Sequence, residues 1–340
     1  MGGVLLLVTA DVVPFERHGV GIRDAVVGGP TLRAALESIA LKCRVGMVSA
    51  MLIRGETGTG KELAARAFHA SGPKPDAPFV AVNCAAIPKE LAERLLFGAR
   101  RGAFSGATDA QGYIQAADGG TLFLDEIADL ASEVQSKLLR MLETREVLRL
   151  GATRCEPVDV RVCAATWRNL REEVGAGRFR EDLYFRIAQS ETLLPPLRER
   201  LEEIPWHVQH ILDEREKEWQ LRATAAFVES CALRLWPGNV RELRAEVRRA
   251  ATAAVGSGSN TLLADDLGTT AGTAMTSAPP PPSSAPFPHD EFAAALTAEE
   301  GNVVSAARRL GVHRNKVRRW LERHQVEARR FKLAGKTKLT

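Results

Sequence analysis

The amino-acid sequence predicts an α/β protein with a parallel β-sheet, a helical region that follows it and a small all-α module at the C-terminal end. Two patterns lead to this prediction. Short apolar runs alternate with amphipathic stretches along most of the chain, and a proline-rich segment then separates them from a basic tail. With 340 residues, 45% of them hydrophobic and 26% charged, the chain has the length of two domains and the composition of a globular protein.

The sheet is predicted from five short segments rich in apolar residues: 50–55, 79–83, 121–126, 160–166 and 191–195. Apolar runs without alternation are typical of parallel strands that are covered on both faces. Between two of these segments, residues 132–144 place apolar residues at helical spacing, with Ser132 as the expected N-cap. After Pro196 the pattern is helical throughout, which predicts a helical lid on the α/β core.

Composition divides the chain into five parts. Residues 1–25 show no convincing period, and we expect no sensor domain there. Six of the 17 prolines lie between Pro279 and Pro288, and a segment of this kind cannot bury a core. The predicted divisions are a short N-terminal segment (1–25), an α/β core (26–195), a helical lid (196–268), a proline-rich linker (269–289) and a C-terminal module (290–340).

Charge and cysteine content narrow the classes of function. Residues 301–340 carry 12 Lys and Arg against 2 Asp and Glu, whereas residues 1–300 carry 34 against 40. This distribution favours a nucleic-acid partner for the tail, with a merely solvated tail as the alternative. The five scattered cysteines contain no CxxC pair, which argues against zinc and disulfides. No apolar run reaches the ~20 residues of a membrane span, so we expect a cytoplasmic protein without a membrane partner.

A phosphate-binding loop is predicted at GETGTGK, because this segment follows a predicted strand and opens a predicted helix. Its glycines let backbone N–H groups converge on phosphates, and Lys61 reaches the β- and γ-phosphate oxygens. The predicted nucleotide-binding residues are Gly55, Glu56, Thr57, Gly58, Thr59, Gly60, Lys61 and Glu62. Glu62 stands where the general pattern has a Ser or Thr that binds magnesium.

Asp125 and Glu126 complete the predicted site, since they end a buried apolar strand. A buried acidic pair is costly unless a cation or water occupies the site. We therefore expect Asp125 to hold Mg²⁺ and Glu126 to polarise the water that attacks ATP. The alternative is that the pair caps a helix.

Six motifs then follow one another along the chain: GETGTGKE, GAFSGA, GGTLFLDE, FREDLYFRI, LPPLRER and WPGNVREL (GGTLFLDE being the strand that ends in the acidic pair). Over residues 26–267 they resemble the AAA+ ATPase domain of bacterial sigma-54-dependent transcriptional activators. The resemblance implies an AAA+ P-loop NTPase core with a helical lid, and ATP with Mg²⁺ as its ligands. Glu62 is usual at its position in this family.

The resemblance implies roles for residues outside the phosphate loop. Asn83 matches the asparagine that restrains the catalytic glutamate until the target is engaged, and Thr166 is retained from the family motif AATN. Arg180 and Arg186 match arginines that reach the ATP of a neighbouring subunit, which implies a homo-oligomeric ring, typically a hexamer. Ordinary surface charge is the alternative for these two. Arg241 matches the sensor arginine of the lid.

The motif GAFSGA places one aromatic ring on a small, flexible loop, and an exposed ring usually needs a partner. In the family this loop contacts sigma-54 and couples ATP hydrolysis to opening of the promoter complex. The implied contact residues are Gly102, Ala103, Phe104, Ser105, Gly106 and Ala107. A buried turn with Phe104 in the core is the alternative.

Three features depart from the family pattern. Ser105 replaces a threonine and loses a methyl group worth up to ~0.8 kcal/mol, or roughly fourfold in affinity. Trp167 replaces the asparagine of AATN, and an indole only donates a hydrogen bond where asparagine also accepts one. This replacement predicts slow or weakly coupled hydrolysis. Ala99 and Arg100 replace a His-Glu pair beside the loop.

The basic tail resembles the Fis-type helix-turn-helix domain that ends most of these activators. Residues 301–324 predict two helices joined at Gly311, with Ala306 and Ala307 allowing close packing. The second helix offers polar and basic side chains to double-stranded DNA. These are Arg314, Asn315, Lys316, Arg318 and Arg319.

The implied function is that of a transcription activator. The resemblance leads us to expect that the protein binds upstream DNA and uses ATP hydrolysis in a ring to remodel sigma-54 RNA polymerase into the open complex. Trp167 keeps a second interpretation open, in which a degenerate AAA+ domain gates a DNA-binding regulator by nucleotide binding alone. A loader ATPase with a basic helix-turn-helix would leave GAFSGA unexplained.

Overall fold

The computed structural model describes residues 19–23, 26–45, 48–103, 108–214, 220–273, 289–299, 302–309 and 321. These residues fall into two compact units that divide between residues 274 and 275. The strands of the described part are β1 (Gly21–Arg23), β2 (Val26–Gly28), β3 (Ala50–Arg54), β4 (Phe79–Asn83), β5 (Thr121–Asp125), β6 (Glu146–Val147), β7 (Glu156–Pro157), β8 (Arg161–Thr166), β9 (Glu191–Leu193), β10 (Arg222–Ala223) and β11 (Thr261–Leu262).

A five-stranded parallel sheet forms the centre of the first unit, with the strand order β4-β5-β8-β3-β9. Each of the five segments predicted from apolar runs contains one of these strands, so the predicted parallel sheet is confirmed. Because all five strands run the same way, their carboxyl ends meet at one edge. The phosphate loop follows β3 at this edge, Asn83, Asp125 and Thr166 end β4, β5 and β8, and Glu126 follows β5 directly.

Helices cover both faces of the sheet and form the lid. They are α1 (Pro30–Val45), α2 (Lys61–Ala70), α3 (Lys89–Phe97), α4 (Tyr113–Ala116), α5 (Ser132–Thr144), α6 (Leu170–Gly175), α7 (Glu181–Ile187), α8 (Ile204–Asp213), α9 (Ala225–Ala232) and α10 (Asn239–Gly256). The helix predicted over 132–144 is confirmed, but the predicted cap is wrong. Ala131 is the N-cap, in extended conformation, and Ser132 is already the first helical residue.

Neighbouring residues of the central strands are buried on opposite faces, which explains their unbroken apolar runs. On one face, Leu52 and Leu124 pack in a core with residues of α3, α5 and α7. On the other, Ile53 and Phe123 pack in a core with residues of α1 and α2. Because helices pack on both faces, the sheet is held between two layers, and its carboxyl edge has a fixed position.

The lid forms a separate apolar core from α8, α9 and α10. At its centre lies Trp236, fully buried, whose Nε1 donates to the carbonyl oxygen of Cys231 at 2.7 Å. The lid is not helical throughout, because β10 and β11 pair in parallel within it. The predicted start of the core at residue 26 also divides an antiparallel hairpin, since β1 pairs with β2.

The second unit contains α11 (His289–Ala298) and α12 (Val303–Arg309). Ala306 of α12 and Leu296 of α11 are fully buried. Gly311 and the predicted second helix, including the five DNA-contact residues 314–316, 318 and 319, lie outside the described residues. The helix-turn-helix therefore stays a prediction.

Within the described part of the chain, no helix is long and apolar enough to cross a membrane. The five cysteines form no disulfide in the structure, and three of them, Cys84, Cys163 and Cys231, are buried.

Candidate nucleotide-binding site

A cavity of about 660 Å³ lies at the carboxyl edge of the sheet, between the core and the lid, within the range of small-molecule sites. Its wall brings together most of the predicted phosphate loop, the acidic pair and the sensor arginine. The predicted residues that line it are Thr57, Gly58, Thr59, Gly60, Lys61, Glu62, Asn83, Asp125, Glu126 and Arg241. Arg180 and Arg186 do not line it.

The phosphate loop has a backbone that glycine makes possible. Gly58 and Gly60 adopt φ values of +79° and +103°, which side chains rarely tolerate. A Cβ at Gly58 would also collide with the carbonyl oxygen of Gly238 in the lid. The loop therefore fits directly beneath the lid because it carries no side chain at this point.

Lys61, which is buried, and Glu126, whose side chain is 15% exposed, form an ion pair in the site. Lys61 Nζ lies 3.1 Å from Glu126 Oε1 and 3.2 Å from the carbonyl oxygen of Gly55. The other carboxylate oxygen of Glu126 accepts from Thr166 Oγ1 at 3.3 Å and from the backbone N–H of Trp167 at 3.4 Å. Glu126 is held in the left-handed region at φ 53°, a strained backbone of the kind found at functional sites.

Asp125 lies beside this pair in a strongly acidic environment. Burial raises the pKa of Asp125, and the Lys61 ammonium opposes that effect. Burial also raises the pKa of the Cys84 thiol to about 12, with contributions from the carboxylates of Asp125, Asp129 and Glu126. This concentration of negative charge and oxygen ligands fits Mg²⁺, which binds through one or two carboxylates and the phosphates of its substrate.

Asn83 and Glu62 line the cavity but make no hydrogen bond to Lys61 or Glu126 among the described contacts. Asn83 is the register partner of Asp125, and its Oδ1 accepts from the backbone N–H of Ala85 at 3.0 Å. Glu126 is therefore held by Lys61 and Thr166, and the restraining role of Asn83 stays a prediction. Glu62 pairs with Arg66 on the exposed surface of α2 at 2.7 Å.

Three lid side chains donate hydrogen bonds to the phosphate loop, and their roles were not predicted from the sequence. Arg198 donates two hydrogen bonds of 2.8 Å to the carboxylate of Glu56. Asn239 Nδ2 donates to the carbonyl oxygen of Thr57 at 3.0 Å, and Arg200 Nη2 to that of Thr59 at 3.2 Å. Arg198 and Arg200 stand in the motif LPPLRER, and Asn239 stands in WPGNVREL. The motifs could therefore have drawn attention to these residues, but they do not identify the partners in the phosphate loop.

Trp167 stands at the rim of the cavity with 58% of its surface exposed. Arg168 lies near its ring, 5.6 Å from the centroid, and pairs with Asp129 at 2.7 Å. The indole thus occupies the mouth of the site, while the backbone of the same residue still contacts Glu126.

Arg180 and Arg186 lie on and beside α7, away from the cavity of their own chain. Arg180 pairs with Asp182 at 2.6 Å and donates to Ser136 Oγ at 3.1 Å, and its side chain is 41% exposed. Arg186 Nη2 donates to the carbonyl oxygen of Leu142 at 2.9 Å. Neither arginine lines the cavity of its own chain.

The base of the GAFSGA loop is tied to the β6–β7 hairpin. Ala99 bridges Ala110 on the returning segment, and Arg100 pairs with Glu156 of β7 at 2.9 Å. Gly102 and Ala103 belong to the described residues, whereas residues 104–107, the tip of the loop, lie outside them.

Comparison with known protein families matches residues 30–192 to the Sigma-54 interaction domain and residues 198–283 to the AAA+ ATPase lid domain. The second match extends into the stretch predicted as linker. The chain is 48% identical to the Nif-specific regulatory protein of Azospirillum brasilense over 68% of its own length and 37% of that protein. It is 38% identical to the transcriptional regulatory protein GlrR of Escherichia coli over 91% of its own length and 70% of that protein.

Among solved structures, NtrX from Brucella abortus in complex with ATP matches with a TM-score of 0.64 and 29% identity, covering 95% of this chain and 70% of NtrX. The chain spans about two fifths of the length of several curated relatives, between 37% and 39% for four of them.

Proposed function

The chain belongs to the family of sigma-54-dependent transcriptional activators, and on this premise we propose that it hydrolyses ATP to open promoter complexes of sigma-54 RNA polymerase. The buried contact between Lys61 and Glu126 carries the proposal. An ammonium group and a carboxylate meet at one point of a nucleotide-sized cavity, which supports phosphate binding by Lys61 and polarisation of water by Glu126. A structural ion pair alone would not need a glycine-rich loop on one side and strained backbone on the other.

The proposed mechanism uses the contacts that Lys61 and Glu126 already make in the structure. An entering γ-phosphate competes for Lys61 Nζ and so releases Glu126, which then accepts a proton from the attacking water. Thr166 and the backbone N–H of Trp167 hold the second oxygen of Glu126 and orient its carboxylate. Mg²⁺, held by Asp125, supplies charge neutralisation when it is bound.

The lid transmits the state of the site. Because Arg198, Arg200 and Asn239 bond directly to the phosphate loop, a change in the loop on nucleotide binding or release alters contacts of the lid. Arg241 lines the cavity from the lid side, where a cation meets the phosphates of the nucleotide.

Arg180 and Arg186 complete the site of a neighbouring subunit in a homo-oligomeric ring, the hexamer typical of the family. Their distance from their own cavity supports this arrangement, since they have no role within it. The Gly102–Ala107 loop contacts sigma-54, and the C-terminal module contacts upstream DNA through Arg314, Asn315, Lys316, Arg318 and Arg319. These contacts rest on the motifs and on family membership.

An ATP hydrolysis assay on the full chain tests the chemistry. We expect Glu126→Gln to bind ATP and to lose a factor of about 10²–10⁴ in turnover, whereas Lys61→Ala loses binding itself. If Glu126→Gln hydrolyses ATP at the wild-type rate, the assignment of Glu126 is wrong.

The exposed indole of Trp167 favours one alternative, a DNA-binding regulator that uses nucleotide only to assemble. In that case the wild type binds ATP and forms rings, but its turnover matches that of Glu126→Gln. The same assay therefore separates the two functions.

A further inference from the structure

One part of the cavity wall contains none of the phosphate-site residues. Val26 and Val27 of β2 and Leu32 of α1 form it, and His207 of α8 lies beside them, since α8 contacts β2. Apolar side chains in this arrangement suit a flat ring rather than phosphates or a ribose. This part of the wall is where the base of a nucleotide belongs.

His207 brings a polar group to this apolar surface. It is only 8% exposed, and its Nε2 is buried without a hydrogen-bond partner, 3.5 Å from Glu203 Oε2. Glu203 is fully buried and fixed in place, because its two oxygens accept from Gly29 N at 2.8 Å and from Arg200 Nη1 at 3.1 Å. The imidazole therefore faces a rigid carboxylate.

That carboxylate selects one form of the imidazole. A carboxylate accepts hydrogen bonds, so we assign the hydrogen of a neutral ring to Nε2, the nitrogen nearer Glu203. In this tautomer Nδ1 is an acceptor. Nδ1 is then the acceptor that His207 offers to a base in the cavity.

We propose that His207 is the residue by which this site selects adenine. Nδ1 accepts from the 6-amino group of adenine and repels the 6-carbonyl oxygen that guanine and hypoxanthine carry at the same position. The inference rests on the proposed function, since it takes a nucleotide to be the occupant of the cavity.

His210, one turn further along α8, provides the matched comparison. It lines the same cavity, but its Nε2 lies 3.6 Å from Glu214, which also pairs with Arg244 and Arg248 at the surface. Its imidazole belongs to a solvent-facing ionic network, so it should not discriminate between bases.

Titration calorimetry of the full chain with ADP and with inosine diphosphate tests the proposal without hydrolysis. The two ligands share the ribose and the phosphates and differ only in the 6-substituent of the base and in the hydrogen that hypoxanthine carries on N1. The variants are His207→Leu, which removes the acceptor, His207→Asn, which keeps an acceptor oxygen near the position of Nδ1, and His210→Leu as the control. Thermal unfolding without nucleotide identifies any variant that fails to fold.

We expect the wild type to bind ADP about tenfold more tightly than inosine diphosphate, and His207→Leu to lower this ratio about fivefold or more. His207→Asn should retain most of the preference, and His210→Leu all of it. Equal binding of the two ligands by the wild type, or an unchanged ratio in a folded His207→Leu variant, overturns the inference and leaves the ATPase intact. Failure of the wild type to bind either ligand instead overturns the proposed function.

Discussion

Glu126 is the residue whose environment says most about the chemistry of the site. Its carboxylate is shared between Lys61 on one side and Thr166 on the other, so it is oriented and neutralised before any ligand arrives. Orientation of this kind lowers the reorganisation needed during reaction.

Trp167→Asn is expected to raise the ATPase rate. Asn at this position both donates and accepts near the acidic pair, whereas the exposed indole only donates, and one added hydrogen bond corresponds to about fivefold. The measurement is steady-state phosphate release at saturating ATP. Trp206→Leu, at an exposed tryptophan of the lid, is the matched control. An unchanged rate in Trp167→Asn would show that the indole of Trp167 does not slow ATP hydrolysis.

At the residue scale, the sequence was informative where chemistry fixes the residue type. The sequence predicts Lys61, Asp125 and Glu126 at one site because a phosphate loop and a buried acidic pair each require particular groups. The structure brings the three side chains to one cavity, and their catalytic roles stay predictions. The contacts of Arg198 and Asn239 could not be predicted, although both residues stand in recognised motifs, since their partners Glu56 and Thr57 lie roughly 140 and 180 positions earlier in the chain.

At the element scale, the lid and the phosphate loop behave as one unit through the pair of Glu56 and Arg198. Hydrogen bonds from Arg198 hold the pKa of Glu56 below its ordinary value of 4.5, and burial opposes this lowering. A lowered pKa in the folded state means that the contribution to stability is complete above pH 4.5. It is lost as the pH falls through the lowered value.

Glu56→Gln should therefore be less stable than the wild type at pH 7, and the difference should shrink steadily below pH 4.5. Urea unfolding of both proteins over this pH range provides the measurement. Glu62→Gln, which breaks only an exposed pair on α2, should change the unfolding free energy far less at every pH. A stability difference for Glu56→Gln that does not vary with pH would show that the ion pair is not its source.

The strands of the sheet could be predicted closely, because burial on both faces leaves a strong apolar signal in strands such as Ala50–Arg54. The short pairs Arg222–Ala223 and Thr261–Leu262 could not, since two-residue strands carry no period. The cap of α5 was misplaced by one residue because Ser132 has the usual side chain of an N-cap but lies inside the helix. The preference of a residue type for helix caps locates a helix end to within one or two residues and does not identify the capping residue itself.

At the scale of the whole molecule, the assignment of Arg180 to a neighbouring site can be tested by mixing subunits. Lys61→Ala and Arg180→Ala are each expected to lack ATPase activity. A one-to-one mixture should recover about a quarter of the wild-type rate. In a ring of head-to-tail contacts, about half of the cavities have an intact Lys61, and about half of those face an intact Arg180 on the neighbouring subunit.

Arg178→Ala, which removes an exposed arginine paired with Glu173, is the control and should remain active alone. A mixture of Lys61→Ala and Arg180→Ala that forms rings but stays inactive would place Arg180 outside the neighbouring site.

Open-complex formation by sigma-54 RNA polymerase on a promoter with an upstream binding site tests the central claim most directly. We expect opening that requires hydrolysable ATP and that is absent with Lys61→Ala at the same protein concentration. No opening by the wild type, at concentrations where rings form and ATP binds, would contradict the activator function and favour a regulator that is gated by nucleotide alone.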